Sequence, residues 1–333
     1  MRYTRIGEVD IKDNIDKEVG VTFIAKNITI KNQKDGMECA HITMKDRDKE
    51  VRAMIFSISE IEKNKLENGK VYEAVIKITN NVKYGISCII EKSTLNKTTI
   101  DASLFADWVD NIQSYADRLT KLLEMVNNSV YGKIAYEMIC KYWDDFTKCP
   151  AATGMHHTSF GGLLMHSVCV AEGCLSEGMR YNKIYGDKFI NINLLVSCAL
   201  IHDIMKVKEL KCVVEDNVVE YSTRSALTTH ITDAECEIVM TAMKLGIDVE
   251  SSEILEMRHL ILSHHGELEY GSPITGHMIE SKVLNYIDNL DATAWKFNKA
   301  YKDMECGESV HSWTSNGIDV IYKGKRKAEN EDE

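Results

Sequence analysis

The hydrophobic pattern of this chain changes period once, near Asp101, and that change limits the fold more than any other feature. Up to residue 95 apolar and polar positions alternate. In "KVYEAVIKIT" the residues Tyr72, Ala74, Ile76 and Ile78 fall on one side, and in "YGISCIIEK" Ile86, Cys88 and Ile90 do the same. A period of two is that of a strand with one buried face. "GVTFIAKNITI", "ECAHITMKD" and "EVRAMIFS" are further strand candidates, separated by the turn-rich "NQKDG", "DRDKE" and "NNVKYG". Strands this short and this closely spaced predict a small β-barrel, and "SEIEKNKLENG" has room for a short helix.

After Asp101 the spacing becomes three or four residues. Leu104, Trp108, Ile112, Leu119, Leu122 and Val126 share one amphipathic helical face. Ile134, Met138, Tyr142 and Phe146 mark another helix, which Pro150 ends, and residues 160–300 read as helix after helix. The expected class is multidomain α+β: an N-terminal small β-barrel and a C-terminal all-α domain. The expected division is a barrel at 1–95, a helical connector at 96–150, the main helical domain at 151–310 and an extension at 311–333 with the charged tail "KGKRKAENEDE".

Composition removes several classes. No run of eighteen apolar residues occurs, and "MRYTRIGEVD" lacks the apolar core of a signal peptide, so a cytoplasmic protein with no membrane partner is expected. None of the ten cysteines forms a CxxC pair, which argues against a disulfide framework and a zinc ribbon. The net charge of -11 is uneven: residues 1–100 are mildly basic at +3, and the remainder carries -14. An acidic body is no general nucleic-acid binder, so the basic N-terminal part is the better place for such contact.

Nine of the eleven histidines lie between residues 156 and 277, and all of these but His259 and His277 cluster at apparent helix ends. They are His156 and His157 in "GMHHTSFGG", His166 in "LLMHS", His202 beside Asp203 in "LLVSCALIHDIMK", His230 in "LTTHIT", His264 and His265 in "ILSHHGE", then His259 and His277. Asp288 lies within the apolar helix "VLNYIDNLDATAW". One buried histidine is usually a satisfied core residue, but six or seven imidazoles with two carboxylates are hard to explain as packing. Lys206 shares a helical face with His202 and Asp203. With no thiolate among the candidates the donors are N and O, which suits Mn²⁺, Fe²⁺, Co²⁺, Zn²⁺ or Mg²⁺.

The order His…His-Asp…His…His-His…Asp resembles that of the HD-domain metal-dependent phosphohydrolases. "HHTSFGGLLMHSVCVA", "LIHDIMKVKEL", "LILSHHGELEYGSP" and "YIDNLDA" resemble more narrowly the YhaM family of 3′–5′ exoribonucleases, which join an N-terminal OB-fold to an HD domain. The resemblance implies that residues 1–95 form the OB-fold. It implies two divalent ions, Mn²⁺ first among the candidates. His166, His202, Asp203 and Asp288 would hold one, and Asp203 would bridge to a second held by His230, His264 and His265. Two such ions would clamp a phosphodiester for attack by water, with Asp203 and Lys206 catalytic and Lys206 neutralising the phosphoryl oxygens. His156 and His157 would contact substrate at the rim. Phe23, Phe56, Tyr72 and Tyr84 are either base stackers or residues of the barrel core, and His259 is expected to be structural.

The sequence departs from the family pattern at Met165, Met205 and Thr229, none of them a ligand position. The implied partner is single-stranded nucleic acid, RNA before DNA, and a homo-oligomer is left open. Two alternatives stay open as well: a phosphohydrolase of small or cyclic nucleotides, and an inactive nucleic-acid-binding module.

Overall fold

The computed structural model describes residues 3–33, 36–47, 49–81, 85–153, 157–214, 217–302, 304–314 and 317–325. They divide into two compact units. One comprises Met1–Asp110 with Leu210–Ser222, the other Asn111–Glu209 with Thr223–Glu333.

The first unit is built on strands β1 (Thr4–Arg5), β2 (Glu18–Asn32), β3 (Glu38–Asp46), β4 (Lys49–Ile55), β5 (Val71–Asn81), β6 (Gly85–Ile90) and β7 (Asn96–Lys97), with a short helix α1 (Glu60–Lys63). The long β2 pairs with β5 through Glu18–Ile24 and with β3 through Ile24–Asn32. β4 then runs parallel to β6, and β6 pairs back to β5, so that β2, β3, β4, β6 and β5 close into a five-stranded barrel. This is OB-fold architecture. A register shift between Lys26 and Thr29, where Asn27 takes a positive φ of 50°, bends β2 so that one strand can serve both sides. The alternating residues of the sequence fill the interior: Val21, Phe23 and Ala25, then Ala40, Ile42 and Met44, then Tyr72, Ala74, Ile76 and Ile78. Cys88 and Ile90 join them, whereas Ile86 is exposed at the strand's start. α1 is held by a capping box between Ser59 and Glu62.

Phe23, expected to stack on bases, is fully enclosed, and its ring lies against that of Tyr72 at 6.2 Å. Tyr72 is equally enclosed; its hydroxyl donates to the Lys65 carbonyl at 2.7 Å. An inward position on a closed barrel puts an aromatic ring in the core. Phe56 is exposed, and Tyr84 lies outside the described residues.

The barrel unit extends beyond residue 95. Ala102 and Phe105 of a 3-10 turn bury against Ile24 and Val71. Leu104 and Trp108 therefore do not belong to the α-helical face: Leu104 lies in that 3-10 turn, both are exposed, and α2 (Ile112–Val126) begins only after Asn111, which has a left-handed backbone. The hairpin β8 (Leu210–Val213) and β9 (Val218–Tyr221) also joins this unit, where Asn217 donates to the Phe105 carbonyl at 3.2 Å and accepts from Lys26 through its own carbonyl. The segment expected as a connector, 96–150, thus divides at Asp110.

The second unit holds α2, α3 (Val130–Phe146), α4 (Gly162–Tyr185), α5 (Ile192–Ile201), α6 (Lys206–Glu209), α7 (His230–Lys244), α8 (Ser252–Ser263), α9 (Ile279–Lys302) and a hairpin β10 (Ser309–Thr314) and β11 (Gly317–Tyr322). Every residue of α5 from Leu194 to Ile201 is buried. A helix apolar on all sides lies in the middle of its unit, and α5 packs against α3, α4, α8 and α9. No helix among the described residues is long and apolar enough to cross a membrane, and none of the ten cysteines is in a disulfide. The charged tail beyond residue 325 lies outside the described residues.

Replacing Phe23 by Ala is expected to destabilise the barrel by about 3–5 kcal/mol, the range for an emptied aromatic core position. Denaturant unfolding followed by circular dichroism measures it; a loss under about 1 kcal/mol would contradict the core assignment.

Candidate metal centre

The last carbonyls of a helix lack partners within it. α5 and α8 solve this in the same way. His202, just past α5, donates Nδ1–H to the Ala199 carbonyl at 2.8 Å. His264, just past α8, donates Nδ1–H to the Ile261 carbonyl at 2.6 Å. The next residue, His265, donates to the Tyr270 carbonyl at 2.9 Å. Gly266 turns the chain there with φ of 83°, so close to Asn285 that a Cβ would come within 2.7 Å of its Oδ1. His230 opens α7 behind its N-cap Thr229, and its Nδ1–H meets Glu209 Oε2 at 2.6 Å. His166, early in α4, meets Asp291 Oδ2 through Nδ1 at 2.7 Å.

In all five rings Nδ1 is engaged by an oxygen, which leaves Nε2 as the donor atom for an ion. The Nε2 atoms converge on Asp203. Its Oδ2 lies 3.5 Å from His166 Nε2 and 3.4 Å from His202 Nε2, while its Oδ1 lies 3.3 Å from His230 Nε2 and 3.9 Å from His264 Nε2. Asp288 Oδ1 completes the first side, 3.1 Å from His166 Nε2 and 3.8 Å from His202 Nε2. Two groups of donors result, His166 with His202 and Asp288, and Asp203 with His230, His264 and His265. Within each group the donor atoms lie within 4.8 Å of one another.

These groups fit a divalent cation. Asp203 Oδ1, His230 Nε2 and His264 Nε2 are buried and make no hydrogen bond among the described residues. Buried polar atoms are normally satisfied, and three orphans aimed at one point need a positive charge between them. The all-N/O set is that of first-row divalent ions and Mg²⁺.

The electrostatics agree. Burial opposes ionisation of Asp203, but the Lys206 ammonium and the imidazoles of His202 and His166 hold its carboxyl well below the usual range. Lys206 Nζ sits 2.6 Å from Asp203 Oδ2. Burial would lower the pKa of Lys206, and Asp203 more than offsets this and raises it. Burial pushes His264 well down and lowers His265, so both are neutral ligand-type imidazoles. His166 is the exception: burial disfavours its cation, yet Asp203, Asp288 and Asp291 together raise its pKa well above the ordinary histidine value.

Of the residues singled out in the sequence, the structure brings together His166, His202, Asp203, Lys206, His230, His264, His265 and Asp288. His157 is not at a rim. It is 2 % exposed, and its Nε2 meets Asp291 Oδ2 at 2.7 Å, behind the converging donors. His156 lies outside the described residues. His259 Nε2 accepts the His277 backbone N–H at 2.9 Å, a structural contact. Met205 is fully buried, and Thr229 has a capping role. Sequence reading missed Asp291 and Glu209. Each follows a named site residue, Asp288 or Lys206, by three positions and so shares its helical face.

A barrel of OB-fold architecture, and a helical unit in which histidines and aspartates converge into groups that could hold a metal ion, define the class of this protein: an OB-fold barrel with a helical unit. The sequence comparisons are narrower. No family model matches the chain. It is 27% identical over 300 residues to the 3′–5′ exoribonuclease YhaM of Geobacillus sp. (strain WCH70), covering 88% of each chain. To the YhaM of Listeria welshimeri it is 28% identical over 304 residues, covering 88% of this chain and 92% of the relative. To that of Bacillus pumilus it is 35% identical over 202 residues, but there the match covers 61% of this chain and 59% of the relative, so it spans about three fifths of that protein. The chain is YhaM-like in sequence, as its motifs suggested. The second OB-fold domain of replication protein A from Methanococcus maripaludis aligns with 29% of this chain and 96% of its own length at 13% identity and a TM-score of 0.22; the barrel's own strand order, not this likeness, carries the fold assignment.

Metal uptake is expected to release protons and to weaken as pH falls. Burial opposes the His166 cation, but Asp203, Asp288 and Asp291 favour it, and an ion at Nε2 must compete with a proton there. Calorimetric Mn²⁺ titrations from about pH 6 to 8, in buffers of different ionisation enthalpy, read both effects; pH-independent affinity without proton release would contradict the assignment.

Proposed function

We propose that the chain is a metal-dependent 3′–5′ exonuclease that hydrolyses phosphodiester bonds of single-stranded RNA, with DNA the second candidate substrate. The observation that carries this reading is the Asp203 carboxylate, whose two oxygens face two separate groups of imidazole nitrogens. His166, His202, Asp203 and Asp288 would hold one divalent ion, and Asp203, His230, His264 and His265 a second, with Mn²⁺ the first choice. Bound there, such ions would supply Lewis-acid polarisation of the phosphodiester and activation of water near neutral pH. The names borne by the relatives support the choice of polymer and polarity.

The residues of the chain do the rest. Asp203 stays ionised because Lys206 and the imidazoles around it favour its charge. Lys206, mostly buried with its ammonium on Asp203 Oδ2, is fixed as a preorganised positive charge for the phosphoryl oxygens. Carbonyls and carboxylates on Nδ1 prevent the ligand rings from turning. The barrel would grip the strand, with exposed Phe56 as a stacking surface. Acidic surroundings do not oppose this, because bound cations supply local positive charge.

The test is incubation of the protein and Mn²⁺ with a 5′-labelled single-stranded RNA, its DNA counterpart, and a panel of free and cyclic nucleotides. A ladder shortening from the 3′ end is expected. Turnover confined to the small nucleotides would overturn the polymer reading in favour of a nucleotide phosphohydrolase, and no turnover of any substrate would leave a binding module.

Two substitutions refine it. Asp203→Asn should abolish hydrolysis and release at least one ion, with helical content unchanged by circular dichroism; retained activity at full metal occupancy would sink the two-ion arrangement. Lys206→Ala should keep metal content near wild type and lower kcat by roughly 10²–10³, the scale of one lost preorganised charge donor. A rate near wild type would remove Lys206 from the site, and loss of metal would make its role structural.

A further inference from the structure

Asp291 belongs to none of the proposed ligand sets, yet its Oδ2 accepts from two imidazoles, His166 Nδ1 and His157 Nε2, each at 2.7 Å. It lies three residues after Asp288 on α9. The helix thereby presents two carboxylates to opposite nitrogens of one ring, with Asp288 Oδ1 3.1 Å from His166 Nε2. His157 is itself anchored. Its carbonyl accepts the Ala151 N–H at 3.0 Å, its φ is 43°, and Gly162 passes so close that a Cβ would fall 2.2 Å from that carbonyl. A non-glycine residue in the left-handed region persists only where its surroundings hold it. The His157 ring also rests against Trp295, 6.0 Å between centroids.

Donor atoms of His157, His166 and Asp291 lie within 4.8 Å of one another, as they would around an ion. The hydrogen-bond geometry argues otherwise. Asp291 Oδ2 is already shared between two ring nitrogens, and His166 turns its Nε2 toward Asp288, His202 and Asp203. Glu209 stands in the same relation to His230, from a different helix. Each proposed ion position thus has one histidine braced from behind by a carboxylate.

We propose that Asp291 is a positioning residue: it fixes the His166 ring with Nε2 facing the ion and ties His157 behind it, so that Asp291 and His157 set metal affinity without touching the metal. The proposal rests on the metal-binding reading above. A carboxylate on the far nitrogen holds the ring's orientation and makes it a stronger donor, and losing such a partner weakens metal binding about 10–100-fold.

The experiment is Co²⁺ titration of the full chain, followed by calorimetry and by the visible spectrum of the bound ion. It compares wild type with Asp291→Ala, Asp291→Asn and His157→Gln. Asp291→Ala should bind Co²⁺ about 10–100-fold more weakly, with unchanged stoichiometry at saturation and a shifted spectrum, because His166 is free to turn. Asp291→Asn, which keeps one acceptor oxygen, should lose less, and His157→Gln should weaken binding through the loosened carboxylate. Wild-type affinity and spectrum in the Asp291 variants would overturn the proposal. Loss of a whole equivalent of Co²⁺ at saturation would overturn it too, by making Asp291 a ligand. Should the alanine variant fail to fold, the asparagine and His157 variants decide by the same two readouts. Failure of the wild type to bind Co²⁺ at all would instead remove the metal-binding reading itself.

Discussion

A carboxylate at the centre of a protein unit is costly unless its charge is answered, and Asp203 is 2 % exposed. Everything around it answers that charge. Lys206 sits on one oxygen, and four imidazoles from α4, α7 and the ends of α5 and α8 surround both oxygens. Among the described residues, Asp203 Oδ1, His230 Nε2 and His264 Nε2 make no hydrogen bond. A divalent cation held between these atoms would supply the remaining share.

The helices that build this centre are placed by burial. α5 has no polar face, so it runs through the middle of the unit and delivers its C-terminus there. A buried C-terminus needs donors for its free carbonyls, and His202 supplies one while turning its other nitrogen to the site. α8 repeats the device with His264. One side chain therefore caps the helix and offers a ligand atom, which ties the stability of the helix end to the geometry of the centre. The carboxylates of Glu209 and Asp291 do for His230 and His166 what carbonyls do for the other rings.

The barrel shows the same economy in a different form. β2 is long enough to pair with β5 in its first half and β3 in its second, and the irregularity at Asn27 allows the bend. Its alternating residues then point inward along the closed barrel, which is why Phe23 packs on Tyr72 instead of meeting solvent. Whether an aromatic residue on such a strand packs inside or faces a ligand depends on which side of the pleat it occupies. The residue type alone does not say.

The two periods in the sequence determined the barrel and the helical unit, because period two and period 3.6 are properties of local backbone geometry. The spaced histidines and aspartates determined that a metal centre was to be sought, since so many buried ionisable groups need a common reason. Tertiary structure alone decided the rest. It ended the barrel unit at Asp110 and added the hairpin at 210–222 to it, through contacts between residues far apart in the chain. It moved His157 from the rim to the layer behind the converging donor atoms. It also revealed Asp291 and Glu209, which in sequence look like ordinary acidic residues of helical surfaces. A ligand can be read from a motif because its spacing on one helix is regular. A group that braces a ligand is defined only by which helices pack together and by which nitrogen is left facing it.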